Sequence, residues 1–280
     1  SFTGWSGDTT GTNNPFTVIL HEDKSYTATF AINTYTVSTS VVGSGSVNRN
    51  PSQANYNHGT SVQLTAVPST GYTFTGWRGD TTGTNNPFDV ILHENKSYTA
   101  TFTIIPYTLT VNTVGPGSVT KNPDQPFYNH GTSVQLTAVP GFGYHFDNWT
   151  GDTTGTMNPF TKIMNGNKSY TATFGINTYT VSTSVVGGGS VNRNPSQASY
   201  DHGTSVQLTA VPATGYTFTS WSGDTTGTNN PFSVILHEDK TYTATFTPNT
   251  YTLSTSVVGN GSVNRNPSQA TYNHGTSVIV

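Results

Sequence analysis

Several residues of this 280-residue chain have types and spacings that could do chemistry, and histidine comes first. His58, His130, His202 and His274 each stand before a glycine and recur every 72 residues. An imidazole can act as a general base or a metal ligand near neutral pH. Equivalent histidines lie one repeat apart, and no second histidine or carboxylate accompanies them at ligand spacing, so each reads as a turn residue with a local hydrogen bond. A second set, His21, His93 and His237, falls at what reads as a hairpin tip. The third copy carries Asn165 there, which speaks against a catalytic duty.

Oxygen-bearing side chains crowd the stretch Asp80-Thr81-Thr82-Gly83-Thr84-Asn85-Asn86, spaced somewhat like a calcium loop. One carboxylate per loop is few for Ca²⁺, and the same residues build solvated Asx-type turns, which is the preferred reading. Gly43-Ser44-Gly45 lacks the third glycine and the following helix of a phosphate loop. No Gly-x-Ser-x-Gly elbow, His-Glu-x-x-His run or recurrent close pair of acids is present. The expectation is therefore a non-enzyme with no catalytic, metal or cofactor-binding residues and no cofactor. The tryptophans read as core, because a small unit without disulfides needs its large aromatics inside; a surface that stacks sugars is the alternative for Trp77.

The elements that must position these residues follow from composition and period. Charged residues are 8% of the chain while Gly, Thr, Ser, Asn and Tyr abound, which suits short strands and tight turns rather than helices. Aromatic residues at 12% allow compact cores although the hydrophobic share is only 32%. A formal net charge of −3 offers no basic face to nucleic acid. Cysteine is absent, which excludes disulfides and thiolate metal sites, and no apolar run reaches the roughly 18 residues needed to span a bilayer.

Trp5, Trp77, Trp149 and Trp221 are spaced by 72 residues each time, and the Gly-Asp-Thr-Thr-Gly-Thr and His-Gly-Thr-Ser-Val strings keep the same step. Counting the back part of a copy at 1–34 as the first, three whole copies follow, 35–106, 107–178 and 179–250, of which 107–178, the third, is most divergent, and the front part of another stands at 251–280. The pattern opens in mid-repeat at Ser1-Phe2-Thr3-Gly4-Trp5, as expected of a processed product or a piece of something longer. Joints of four residues, such as Thr103-Ile104-Ile105-Pro106, predict a stiff rod.

Six strands are predicted per copy. In 35–102, Tyr35 to Val42 turns through Gly43-Ser44-Gly45 into Ser46 to Arg49 as a first hairpin. Ser61 to Val67 points Val62, Leu64 and Ala66 to one face, and Tyr72 to Trp77 follows. Phe88 to Leu92 and Ser97 to Phe102 make a second hairpin, the latter strand pointing Tyr98, Ala100 and Phe102 to one side, a reading strengthened by Asn165-Gly166-Asn167 in the third copy. Val90 becomes Lys162 there, so Ile91, retained as Ile163, is the better core candidate.

Gly71-Tyr72-Thr73-Phe74-Thr75-Gly76-Trp77-Arg78-Gly79-Asp80, with its spacing to Tyr98-Thr99-Ala100-Thr101-Phe102, resembles the divergent internalin-type B-repeat family of bacterial surface proteins, and the resemblance covers the whole chain. It implies small β-rich modules strung in tandem on secreted or cell-surface proteins as stalk, spacer or adhesive segment. It also implies a β-grasp arrangement with a helical element, for which the sequence offers only a single turn near Pro51 to Ala54. The expected fold class is thus all-β, a tandem array of six-stranded modules forming an elongated rod on the order of 110 Å for four modules of about 28 Å each. The expected function is an extracellular stalk or fibre-forming subunit that polymerises end to end or associates laterally with copies of itself. An adhesive module for glycans, a host protein or other surface proteins, and spacer repeats attached to an enzyme outside this fragment, are the alternatives.

Overall fold

The computed structural model describes all 280 residues, Ser1–Val280, and contains strands, turns and connecting segments but no helix. In chain order the strands are β1 (Phe2–Gly7) and β2 (Tyr26–Phe30), then β3 (Thr34–Tyr35), β4 (Val37–Val42), β5 (Gly45–Asn50), β6 (Tyr56–Asn57), β7 (Ser61–Pro68), β8 (Tyr72–Gly79), β9 (Phe88–Ile91) and β10 (Lys96–Ile104). β11 (Pro106–Tyr107) opens the next repeat.

Within 35–106 these strands make two three-stranded sheets, β4-β10-β8 and β5-β7-β9, while β3 pairs with β6. β7 shows why the sequence folds this way: its strict alternation buries Val62, Leu64 and Ala66 and turns the intervening residues outward. β10 does the same with Tyr98, Ala100 and Phe102. These two central strands face each other across a core completed by Val37, Tyr56, Trp77 and Leu92. Complete burial of a side chain such as Leu64 contributes about 1.5–3 kcal/mol.

Neither predicted hairpin forms. β4 lies beside β10, parallel, with Val37 opposite Lys96 through Val42 opposite Thr101, and β5 pairs instead with β7. The Ser40 and Thr99 hydroxyls join β4 to β10 at 2.7 Å across 59 residues. The reason lies in Gly43 and Gly45. Gly43 has a φ of +86°, and a Cβ on Gly45 would stand 2.6 Å from the Phe102 ring. The glycines thus let the chain pass closely over Phe102 and drop into the other sheet rather than fold back on itself. The link from β9 to β10 also changes sheets: Asn95 Oδ1 accepts the Thr36 amide at 2.9 Å, and Lys96 N–H donates to Thr36 O at 2.9 Å.

Two further expectations are corrected. Phe88, Val90 and Leu92 face inward, so Ile91 is 57% exposed and Leu92 fully buried, because Phe88 packing edge-on to Trp77 sets the phase of β9. No helical turn forms at Pro51 to Ala54. That stretch hangs on buried Tyr56, whose hydroxyl donates to Pro51 O at 2.9 Å and accepts the Gln53 amide at 3.1 Å.

The chain gathers into two compact units. One comprises Ser1–Thr110, Asn122–Gln135 and Thr161–Lys168, and the other Val111–Lys121, Leu136–Phe160 and Ser169–Val280. The first contains the copy just described. The second contains 179–250, which repeats the topology: Val181–Val186 runs parallel to Lys240–Pro248, which is antiparallel to Tyr216–Gly223, and Ser205–Pro212 is central in the other sheet.

Candidate functional site at the histidine turns

The His-Gly turn is held by backbone bonds that reach across the module. Thr60 N–H closes the turn on Asn57 O at 3.0 Å, Gly59 N–H donates to Leu92 O at 2.7 Å, and Leu92 N–H returns to Thr60 O at 3.0 Å. This exchange brings the residue after Leu92 against the residue before Gly59. His93 Nδ1 and His58 Nε2 therefore lie 3.2 Å apart, and in 179–250 His237 Nδ1 and His202 Nε2 lie 3.1 Å apart. The expectation that no second histidine accompanies His58 is overturned, as is the placing of His93 at a hairpin tip. The partner comes from 35 residues away, brought in by the pairing of β7 with β9, which no local spacing reveals.

The third copy keeps the turn without the pair. Gly131 N–H donates to Met164 O and Met164 N–H to Thr132 O, both at 2.8 Å, but Asn165 follows Met164. His130 instead lies with Nδ1 3.3 Å from the Tyr107 hydroxyl. His202 has the same tyrosine beside it, with ring centroids 5.9 Å apart for Tyr179 and His202, and its Nδ1 is buried without a partner. The acid next to His93 is already engaged: Glu94 accepts from Lys96 Nζ at 2.6 Å, which raises the lysine pKa above its ordinary value.

The same turn forms the joint between repeats. His130 N–H donates to Ile105 O at 3.0 Å, and Ile105 N–H donates to Gly71 O of the preceding copy at 2.8 Å. Gly71 has a φ of +80°, and a Cβ there would fall 2.3 Å from the His130 ring, so only glycine lets the imidazole lie against it. His202 with Asn177 and Gly143, and His274 with Asn249 and Gly215, repeat the arrangement. At Gly143 the preceding residue is Phe142, whose ring centroid lies 4.7 Å from His202 and 5.9 Å from His237; Thr70 and Thr214 take that place in the other copies.

The remaining candidates make contacts within the fold. Asp80 Oδ2 accepts the Ser97 amide at 2.5 Å, and Asp152 and Asp224 take Ser169 and Thr241 in the same way, so the one acid of each loop ties down the start of β10 or its equivalent. This is a long-range clamp rather than a local Asx turn. Gly83 O accepts the Trp77 amide at 2.7 Å, Asn85 O accepts Trp77 Nε1–H at 3.0 Å, and Asn86 makes two 2.8 Å bonds with the Ala66 backbone. The loop is a strap across Trp77, which is 3% exposed and packs on Phe74 and Phe88. No serine, threonine or lysine is paired in hydrogen-bond reach with any of these histidines in the manner of an activated nucleophile.

Comparison with known proteins follows the repeat. The divergent InlB B-repeat domain matches residues 1–34, 35–106, 107–178 and 179–250. No curated protein matches the chain in sequence. Among solved structures, the Bacillus anthracis TIE protein aligns at 8% identity and a TM-score of 0.40, over 81% of this chain and 55% of that one, so this chain spans about half of its length. Four matches that together cover most of the residues place the chain in the divergent InlB B-repeat family, a family of non-catalytic repeat domains.

Proposed function

We propose that the chain is a force-bearing spacer in an extracellular or cell-surface protein, a stalk or fibre segment without catalytic activity that associates with copies of itself. The observation that carries this reading is the parallel pairing of β4 with β10. These are the first and last long strands of the copy 35–106, so tension enters through β4 and leaves through β10. Pulling parallel neighbours from opposite ends shears the whole ladder at once, whereas an antiparallel terminal pair would unzip one bond at a time. Val181–Val186 and Lys240–Pro248 repeat the geometry in 179–250. Joints that hydrogen-bond each copy to the next turn pass the load onward, and family membership supports the location.

Pulling the full chain by its ends in a force spectrometer tests this. Each 72-residue copy should give a distinct force peak, followed by a gain in length of roughly 200–250 Å. Smooth extension without peaks would overturn a mechanical role.

A further inference from the structure

The geometry points to a bis-histidine site for a divalent transition-metal ion at each paired turn, His58 with His93 and His202 with His237. Imidazole nitrogens bind zinc at about 2.0–2.1 Å, so two of them on adjacent coordination positions stand about 2.9–3.4 Å apart. The pairs already have that separation, 3.2 Å and 3.1 Å. Moreover, the two backbone bonds between the turn and Leu92, or Leu236, hold both Cα atoms in place before any ion arrives. His93 and His237 are exposed, so either ring can turn to aim its Nδ1 lone pair outward beside Nε2 of its partner.

A tyrosine ring stands beside the histidine of each pair, Tyr35 at His58 and Tyr179 at His202, where outer support for a metal-binding imidazole belongs. A proton on Nδ1 of His58 or His202 leaves Nε2 free to ligate, and the Tyr107–His130 contact of 3.3 Å demonstrates that a tyrosine hydroxyl at this place reaches Nδ1. In the second pair, buried and unpartnered His202 Nδ1 is the atom that needs such a neighbour. Imidazole donors select zinc, nickel or copper over calcium and magnesium. Since no third histidine or acid completes a cluster, water fills the other positions and the ion stays exchangeable.

The third copy supplies the control. Asn165 replaces the second histidine and the fold is kept, so His93→Asn and His237→Asn are substitutions this architecture already accommodates. Calorimetric titration of the untagged full chain with Zn²⁺ should give two ions per chain. H93N or H237N should leave one, and the double variant none, each with an unchanged melting temperature in metal-free buffer. Absence of zinc binding by the parent chain, or a stoichiometry that the double variant retains, would overturn the proposal.

Discussion

At the scale of single residues, tryptophan and histidine differ in how far sequence alone explains them. Trp77 is legible: a large aromatic in a small unit without cysteine belongs inside, and it sits in a chain of tilted and edge-on rings running from Phe74 through Phe88 to Tyr98. Trp77→Ala is expected to lower the unfolding free energy by about 3–5 kcal/mol in denaturant titration. A variant that kept its stability while losing affinity for a glycan would contradict the core assignment. The histidine pairs are not legible, because His58 and His93 belong to different turns and meet only when β7 and β9 become neighbours. The clamp from Asp80 to Ser97 is hidden for the same reason: a lone acid in a polar loop looks alike whether it faces water or a strand.

Among the elements, alternation identified which residues of β7 and β10 point inward, since each strand buries one face against the other sheet. Pairing was beyond its reach. Short turns suggest that flanking strands are partners, yet both of the predicted hairpins are crossings between sheets, decided by the fit of Gly45 against Phe102 and of Asn95 against Thr36. The central strand of the first sheet also carries a pH response. Burial raises the pKa of Tyr98, with Asp80 adding to the rise, and Tyr170 and Tyr242 are raised by burial likewise. A phenol with a raised folded-state pKa ionises first in the unfolded chain, so its contribution is intact below about pH 10 and is lost as pH climbs through the folded value. Melting temperature should hold between neutrality and pH 9 and fall above pH 10, with a shallower fall for Tyr98→Phe. An equal fall in that variant would assign the alkaline loss to other groups.

For the whole molecule, the 72-residue period was the plainest feature of the sequence, because aromatic and glycine positions tolerate no drift when each copy must rebuild the same core. What periodicity leaves open is how copies meet other molecules. β4 is an edge strand with Val41 and Val42 at 43% and 56% exposure, and its outer side has no ladder partner. Edges of this kind invite pairing with another chain. Val42→Lys together with its counterpart Val186→Lys is expected to shift sedimentation of concentrated protein towards monomer. Unchanged self-association would move the contact away from this edge.

The pairing of β4 with β10 also governs how such a chain is made. A copy cannot close its first sheet until its last long strand has been synthesised, so β4 waits through 59 residues for its partner. Val37–Val42 and Val181–Val186 are identical in sequence, so β4 could equally accept Lys240–Pro248, the closing strand of the later copy. Loop-closure entropy favours the proper partner over one roughly two hundred residues away by only about 1 kcal/mol. Order of emergence from the ribosome supplies the rest of the discrimination, since the correct closing strand appears before the competitor exists. The divergent copy between them, with Leu109–Val114 in place of the shared strand, separates the two identical sequences along the chain, so that vectorial synthesis rather than sequence keeps each module's partners its own.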